Sequence, residues 1–239
     1  MEQSGTQLVI KKGIGFRVYE KDLKHACDTF SLEDKMIYTW QEENIPAEKP
    51  EDRFMISFDK KTPYLLTSPN EFIMGGLNGN MADWKTFGSF FYNLNSNRDN
   101  LSPEFETRIK QLVNNVTDKK EIVKILYNYL QKNTRYVSIQ LGIGGYQTLE
   151  ASFVEKKGYG DCKALSNYMK AMLKSLGIAS YQALISSEED IIAEFPSNQF
   201  DHVILCVPLQ KDTLWLECTN QTIPFNFWVV QMAINMFCC

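Results

Sequence analysis

The sequence predicts an α+β fold, in which antiparallel strands come first, helices follow, and further strands come after them. In the first part of the chain, apolar and polar residues alternate as in a half-buried strand, for example in RFMISFD, and turn residues separate short runs such as KMIYTW and PYLLTSP. From Trp84 onward, apolar residues recur at helical spacing. Strands followed by helices and then by more strands are typical of an α+β arrangement.

A polar, turn-rich stretch, SNRDNLS from Ser96 to Ser102, separates the two patterns. We therefore expect a β-rich N-terminal domain over residues 1–98 and a second domain over residues 99–239. Just before this boundary, a helix is predicted from apolar residues three or four positions apart, which are Trp84, Phe87, Phe91 and Leu94.

Local signals place the helices and strands of the second domain. Ser102, followed by proline, predicts one helix start, and Asp118 predicts another. In KKGYGDCKALSNYMKAMLKSLGI, residues 156–178, Asp161 is a natural N-cap and Gly177 stands where a helix stops. Strands are predicted in RYVSIQL, SYQALIS, DHVILCV and LWLECT.

Composition excludes some classes of protein. The 239 residues are 44% hydrophobic and 23% charged, which is typical of a folded chain with a substantial core. The formal net charge is -4, and the basic residues are scattered among acidic ones. Because nucleic-acid binding requires a basic surface, we expect no nucleic-acid partner.

No segment reads as an export signal or a membrane span. The N-terminus, MEQSGTQLVIKKGIG, lacks the charged and apolar regions of a signal peptide, and no run of about 18 apolar residues occurs. The most apolar segment, FNFWVVQMAINMFCC at residues 225–239, is interrupted by polar residues, so we expect it to be a buried segment.

Among the six cysteines, only Cys162 lies at a predicted helix start. There is no Cys-x-x-Cys pair to suggest zinc or a dithiol redox site, and we expect neither a metal nor an organic cofactor. Cys206 and Cys218 are interpreted as buried small residues. A thiol attacks as its thiolate, and a helix N-terminus favours that form through its unpaired N–H groups. Cys162 is therefore a candidate nucleophile, with a purely structural role as the alternative.

A cysteine nucleophile needs a base, and the base needs a group that orients it. His25 lies in a polar segment and is interpreted as a surface residue, whereas His202 opens a predicted strand. If residues 208–213 form an even-numbered connection, Glu217 falls opposite Ile204 and on the same strand face as His202. Glu217 is then the candidate orienting carboxylate, with a solvated strand residue as the alternative.

Three blocks, YGDCKALSNYMKAMLKSLGI, FDHVILCV and LWLECTNQ, resemble in order and spacing the Cys, His and acid blocks of the transglutaminase-like superfamily. The resemblance implies a papain-like core in which Cys162 is the nucleophile, His202 the general base and acid, and Glu217 the orienting carboxylate. The preceding part, with YTWQEENIPAEKPED and GNMADWKTFGSFFYNL, is similar to a β-rich domain of unknown function that precedes such a core in bacterial proteins.

The sequence departs from the pattern of that family in several places. Glu217 stands where the family usually has Asp, Ala164 where many relatives have an acid, and Thr148 where proline is common. The extra methylene of Glu217 predicts a less accurately held imidazole. The relatives are longer, often begin with a signal peptide and continue into a further β domain, so a truncated chain is a hypothesis that the mass of the native protein tests.

The expected function is cysteine-dependent acyl transfer on a peptide or protein substrate, with hydrolysis favoured because water is the default acceptor. Backbone N–H groups at the helix start would hold the oxyanion, with Gln140 and Gln147 as candidate side-chain donors. The alternative is an inactive fold of the same type that binds a peptide or protein. A nucleotide site at residues 142–145 is disfavoured, because no Gly-Lys-Ser/Thr ending follows these glycines.

Overall fold

The computed structural model describes residues 3–45, 63–186 and 191–227, together with the backbone of residues 236–238. The chain divides into two compact units. The first comprises residues 1–72, 80–83 and 192–198, and the second comprises residues 73–79, 84–191 and 199–239. The mixture of helices and antiparallel strands confirms the predicted α+β fold class. The division into domains at residue 98 stays a prediction.

In the described part of the first unit, the strands form two antiparallel sheets. Its strands are β1 (Gln3–Lys11), β2 (Phe16–Lys21), β3 (Asp28–Leu32), β4 (Lys35–Glu43) and β5 (Tyr64–Pro69). The sheets have the orders β1-β4-β3 and β2-β5. Trp40 on β4 is buried, and its indole Nε1 donates to Glu20 Oε1 at 2.6 Å. The predicted strand RFMISFD lies outside the described residues.

A short hairpin precedes the first helix. Its strands, β6 (Glu71–Met74) and β7 (Leu77–Asn80), are joined at Gly75 and Gly76, whose φ angles of 60° and 78° favour glycine. The helix α1 (Trp84–Leu94) agrees with the predicted helical spacing and buries four apolar side chains, which are Phe87, Phe90, Phe91 and Leu94.

The next helices begin where the sequence predicts. Ser102 caps α2 (Pro103–Leu112) by accepting from Phe105 N, and Asp118 caps α3 (Lys119–Asn133) by accepting from Lys120 N. The predicted strand RYVSIQL is wrong over most of its length. Only β8 (Arg135–Tyr136) forms, because the parallel strand β9 (Tyr159–Gly160) offers two residues for pairing, and residues 142–145 form a 3-10 turn.

The helix that carries Cys162 ends in a glycine cap. It is preceded by the short helix α4 (Ala151–Lys157) and runs as α5 (Cys162–Ser175). Gly177 follows with φ 69°; its N–H bonds to Lys174 O, and Ile178 N–H bonds to Leu173 O. These are the two hydrogen bonds of a Schellman motif, so the stop predicted at Gly177 is confirmed.

A four-stranded antiparallel sheet packs against α5. Its strands are β10 (Tyr181–Ile185), β11 (His202–Pro208), β12 (Thr213–Leu216) and β13 (Met236–Cys238), in the order β12-β11-β10-β13. On the face towards α5, Leu205 and Val207 join the main hydrophobic cluster. Ile204 belongs to a second cluster with Ala183 and Ile185, because side chains alternate between the two faces of a strand.

The apolar C-terminal segment is described only in part. Residues 228–235 and 239 lie outside the described residues, and the backbone of residues 236–238 pairs with β10 at the sheet edge. Over the described part of the chain, no helix has both the length and the apolar character needed to cross a membrane.

Candidate active site

Cys162 is the first residue of α5, directly after the cap residue Asp161. Asp161 Oδ1 accepts from Ala164 N at 2.9 Å, which fixes the start of the helix. Cys162 is 3% exposed and does not belong to the main hydrophobic cluster around α5. Its N–H group lies in the first turn, where no intrahelical acceptor exists, so the N–H is available to a ligand.

A buried ion pair flanks Cys162 in the sequence. Lys163 Nζ contacts Asp161 Oδ2, and the side chains of Lys163 and Asp161 are 9% and 3% exposed. The lysine thereby compensates the carboxylate that caps the helix, so the positive end of the α5 dipole is not opposed by an unpaired negative charge. Gln182 Nε2 donates to Lys163 O at 3.0 Å and ties this turn to β10.

His202 lies between Cys162 and Glu217. It opens β11, as predicted, and its Nε2 lies 2.7 Å from Glu217 Oε2. Cys162 lies close enough to the imidazole to raise its pKa. Because Glu217 engages Nε2, Nδ1 is the ring nitrogen left for the sulfur. The structure therefore brings the three candidate residues together around the imidazole of His202.

Glu217 is held in place by the turn that follows β12. Its Oε1 accepts from Thr219 N at 2.8 Å and from Thr219 Oγ1 at 2.5 Å, while Oε2 faces His202. Both carboxylate oxygens are thus engaged, and the extra methylene of Glu217 does not prevent contact with the imidazole. The register agrees with the strand argument, since Val207 pairs with Leu214 and Leu205 with Leu216.

The electrostatics of the three side chains favour an imidazolium next to a carboxylate. Burial lowers the pKa of His202, but hydrogen bonds with Cys162 and Glu217, together with their negative charges, raise it to about 10. Burial raises the pKa of Glu217, but the hydrogen bond and charge of His202 and the bonds from Thr219 leave it below its usual value. His202 is therefore charged at neutral pH.

The remaining candidates lie apart from these three residues. His25 is exposed, and its Nδ1 lies 3.6 Å from Glu42 Oε1, in agreement with a surface role. Gln147 donates its amide to Leu94 O at 3.1 Å, and Gln140 is exposed. Neither glutamine is thus identified as an oxyanion donor.

Sequence reasoning missed Thr219. Its signal is a hydroxyl residue two positions after the carboxylate at a strand end, in Glu-Cys-Thr, where a local side-chain bond to the backbone is common. Cys206 and Cys218 are buried free thiols, as predicted, and burial raises the pKa of Cys218 well above its usual value. No group of three potential metal ligands occurs within the described residues.

The sequence profile of the transglutaminase-like superfamily matches residues 106–215. Residues 106–215 form a transglutaminase-like superfamily domain. The matched range includes Cys162 and His202 and ends two residues before Glu217. The resemblance to this superfamily, predicted from three segments of the sequence, is confirmed for this domain.

One solved structure supports the same fold. A candidate protease from Parabacteroides distasonis superposes with a TM-score of 0.69 at 15% identity, over 90% of this chain and 40% of that chain. A candidate cysteine protease from Cytophaga hutchinsonii gives a TM-score of 0.41 at 12% identity, over 91% of this chain and 66% of that chain. This chain thus spans less than half the length of the Parabacteroides protein. A comparison with curated proteins finds no match.

Proposed function

We propose that this protein is a cysteine-dependent acyl-transfer enzyme that hydrolyses peptide or amide bonds. The observation that carries the proposal is the position of His202, which is bonded to Glu217 and lies beside Cys162 at the start of α5. The fold shared with the transglutaminase-like superfamily supports it. Residues 99–239 form the catalytic domain in this proposal, and residues 1–98 the β-rich domain before it.

The reaction begins with an ion pair between Cys162 and His202. In this step the imidazole of His202, whose pKa is about 10, holds the proton of the Cys162 thiol, so that the sulfur can attack as the thiolate. The sulfur attacks the carbonyl carbon of the substrate, and a tetrahedral oxyanion forms. The C–N bond then breaks as His202 gives its proton to the leaving amine, and a thioester on Cys162 remains.

Water completes the cycle. His202, now neutral, takes a proton from the water that attacks the thioester. The C–S bond of the second tetrahedral intermediate breaks, the carboxylic acid leaves, and the proton on His202 restores the ion pair with Cys162. No oxidant, reductant or metal takes part in this sequence of steps.

Two further groups assist these steps. The N–H of Cys162, at the positive end of α5, donates to the oxyanion, because the first N–H groups of a helix have no intrahelical acceptor. Glu217 fixes the imidazole so that Nδ1 faces the sulfur, and Thr219 fixes Glu217 in turn. Glu217 is therefore an orienting residue, and Thr219 a positioning residue.

One observation favours a second function. Cys162 is only 3% exposed, and the imidazole of His202 only 19%, so the sulfur offers little surface to a substrate. A transglutaminase-like fold that binds a peptide or a protein without cleaving it would need no accessible nucleophile. This binding module is the alternative function.

Peptide cleavage separates the two functions. We would incubate the protein and its Cys162→Ser variant with a peptide library and identify new termini by mass spectrometry. The enzyme proposal predicts cleavage products that are absent with Cys162→Ser. Peptides that are retained but left intact by both proteins would instead support the binding module.

A further inference from the structure

A second candidate site lies behind the Cys162 and His202 pair. A cavity of about 140 Å³ is lined by Lys163 and Val203, the residues that follow Cys162 and His202 in the chain. Side chains alternate along β11, so Val203 points to the opposite strand face from His202. The cavity is therefore distinct from the candidate active site: it runs along α5 from Lys163 to Lys174, whereas Cys162 is the first residue of the helix.

Lysines of α5 give this cavity its charge. Lys163, Lys170 and Lys174 all line it, and their spacing of seven and four residues places them on one side of the helix. Lys163 is already paired with Asp161. The other two share a single carboxylate, since Asp99 lies 2.8 Å from Lys174 Nζ and 4.0 Å from Lys170 Nζ.

Lys170 is left with weak partners. Its side chain is 25% exposed, Asp99 Oδ2 lies beyond hydrogen-bond distance at 4.0 Å, and its ammonium stands 6.0 Å from the centre of the Tyr92 ring. Within residues 3–45, 63–186 and 191–227, no acceptor lies within hydrogen-bond reach of Lys170 Nζ. An anion in the cavity would give Lys170 Nζ a hydrogen-bond acceptor at closer range than Asp99.

The walls of the cavity indicate what the anion is attached to. Three aromatic residues, Phe91, Tyr92 and Tyr146, contribute to the lining. A volume of about 140 Å³ is close to that of an engineered apolar cavity that takes up benzene. The cavity thus has room for a body about the size of one ring, next to the ammonium groups.

A second group with unmet hydrogen-bonding capacity lies nearby. A neighbouring cavity of about 290 Å³ shares Lys170 and Lys174 with the first and is also lined by Ser180. Ser180 is 7% exposed, and in the part of the chain that is described its hydroxyl has no partner. Buried hydroxyl groups are usually hydrogen-bonded, so this side of α5 carries more donor capacity than the described protein groups satisfy.

We propose that the cavity binds a small carboxylate whose apolar body is about the size of one ring. The carboxylate accepts hydrogen bonds from Lys170 and Lys174, and the body packs against the aromatic walls. The site does not depend on the proposed hydrolase activity, because neither Cys162 nor Glu217 lines it.

Benzoate is a suitable probe, and benzamide is its neutral isostere. The full chain would be titrated with each compound by isothermal calorimetry at constant ionic strength. Benzoate should bind, and benzamide should bind at least about tenfold more weakly, because a hydrogen bond to a charged group contributes roughly that factor. Equal binding of both, or no benzoate binding up to the solubility limit, would overturn the proposal. Inorganic phosphate that binds as tightly as benzoate would do so too, because the walls would then contribute nothing.

Variants locate the probe. Lys170→Met should weaken benzoate binding about tenfold, whereas Lys124→Met, at an exposed lysine of α3, should leave it unchanged. Asp99→Asn should strengthen binding, because it removes the competing carboxylate, and this gain cannot result from misfolding. Weaker binding in Asp99→Asn contradicts the proposed site. Cys162→Ser should bind benzoate as the native chain does, so the failure of the hydrolase proposal would leave this test intact.

Discussion

Replacement of Glu217 by glutamine tests how the carboxylate acts on the other two residues of the candidate site. The amide has nearly the same shape as the carboxylate and still offers an oxygen to His202 Nε2, but it lacks the charge. The pKa of His202 should therefore fall from about 10 towards its ordinary value, and less imidazolium should be present at neutral pH. The sulfur of Cys162 then has less positive charge beside it.

The size of this effect follows from the pKa of His202. The pKa of His202 rises from 6.5 to about 10, which corresponds to roughly 5 kcal/mol at about 1.4 kcal/mol per pKa unit. Cys162 and Glu217 together supply this free energy, while burial opposes it. If Glu217 supplies about half, its charge contributes on the order of 2 kcal/mol, which is roughly a thirtyfold change in an equilibrium constant. We therefore expect the alkylation of Cys162 at pH 7 to slow by roughly thirtyfold in Glu217→Gln.

The assay is alkylation by iodoacetamide, with each cysteine quantified by peptide mass spectrometry between pH 5 and pH 9. Cys218 is an internal control, because burial raises its pKa and it should stay unlabelled in the folded protein. Glu104→Gln, at an exposed glutamate in the first turn of α2, is the matched control and should label like the native chain. Equal rates and equal pH profiles for Glu217→Gln and the native chain would refute this account of the electrostatics.

Three other changes give separate tests. Thr219→Val removes the hydroxyl bond to the Glu217 carboxylate and should slow peptide cleavage by about tenfold, while Thr219→Ser should retain the rate. Equal losses in both variants would argue against the positioning role. The raised pKa of His202 stabilises the fold fully below pH 6.5, and this contribution is lost as the pH rises through about 10. The native chain should therefore exceed His202→Asn in unfolding free energy by less at pH 10.5 than at pH 7, and a constant difference would contradict the raised pKa. A Cβ at Gly160 would lie 2.7 Å from Ala164 Cβ, so urea unfolding should show that Gly160→Ala is destabilised by about 1–3 kcal/mol. The control Gly145→Ala should lose less than about 0.5 kcal/mol, and similar losses in both variants would contradict this packing argument.

Features that depend on neighbouring residues could be predicted from the sequence. The start of α5 at Asp161 and its end at Gly177 follow from a cap residue and a glycine, and both were predicted correctly. The position of Glu217 relative to His202 followed from strand alternation, because an even-numbered connection between β11 and β12 fixes the register. The catalytic roles of these residues stay a prediction.

Features that depend on distant parts of the chain could not be predicted in this way. The segment RYVSIQL has the composition of a strand, but its partner β9 pairs with only two of its residues. The bonds from Thr219 to Glu217 depend on how the chain turns after β12, and the burial of Cys162 depends on packing around the whole helix start. The cavity beside Lys170 requires α1, α5 and β10 to meet, which no local pattern encodes.

Trapping the acyl-enzyme tests the central claim most directly. The protein would be mixed with a p-nitrophenyl ester of a blocked amino acid, quenched in acid within seconds and analysed by peptide mass spectrometry. The account predicts a burst of p-nitrophenol and an acyl group on Cys162, and neither of them in Cys162→Ala. A burst that persists in Cys162→Ala, or an acyl group found only on other residues, would contradict it.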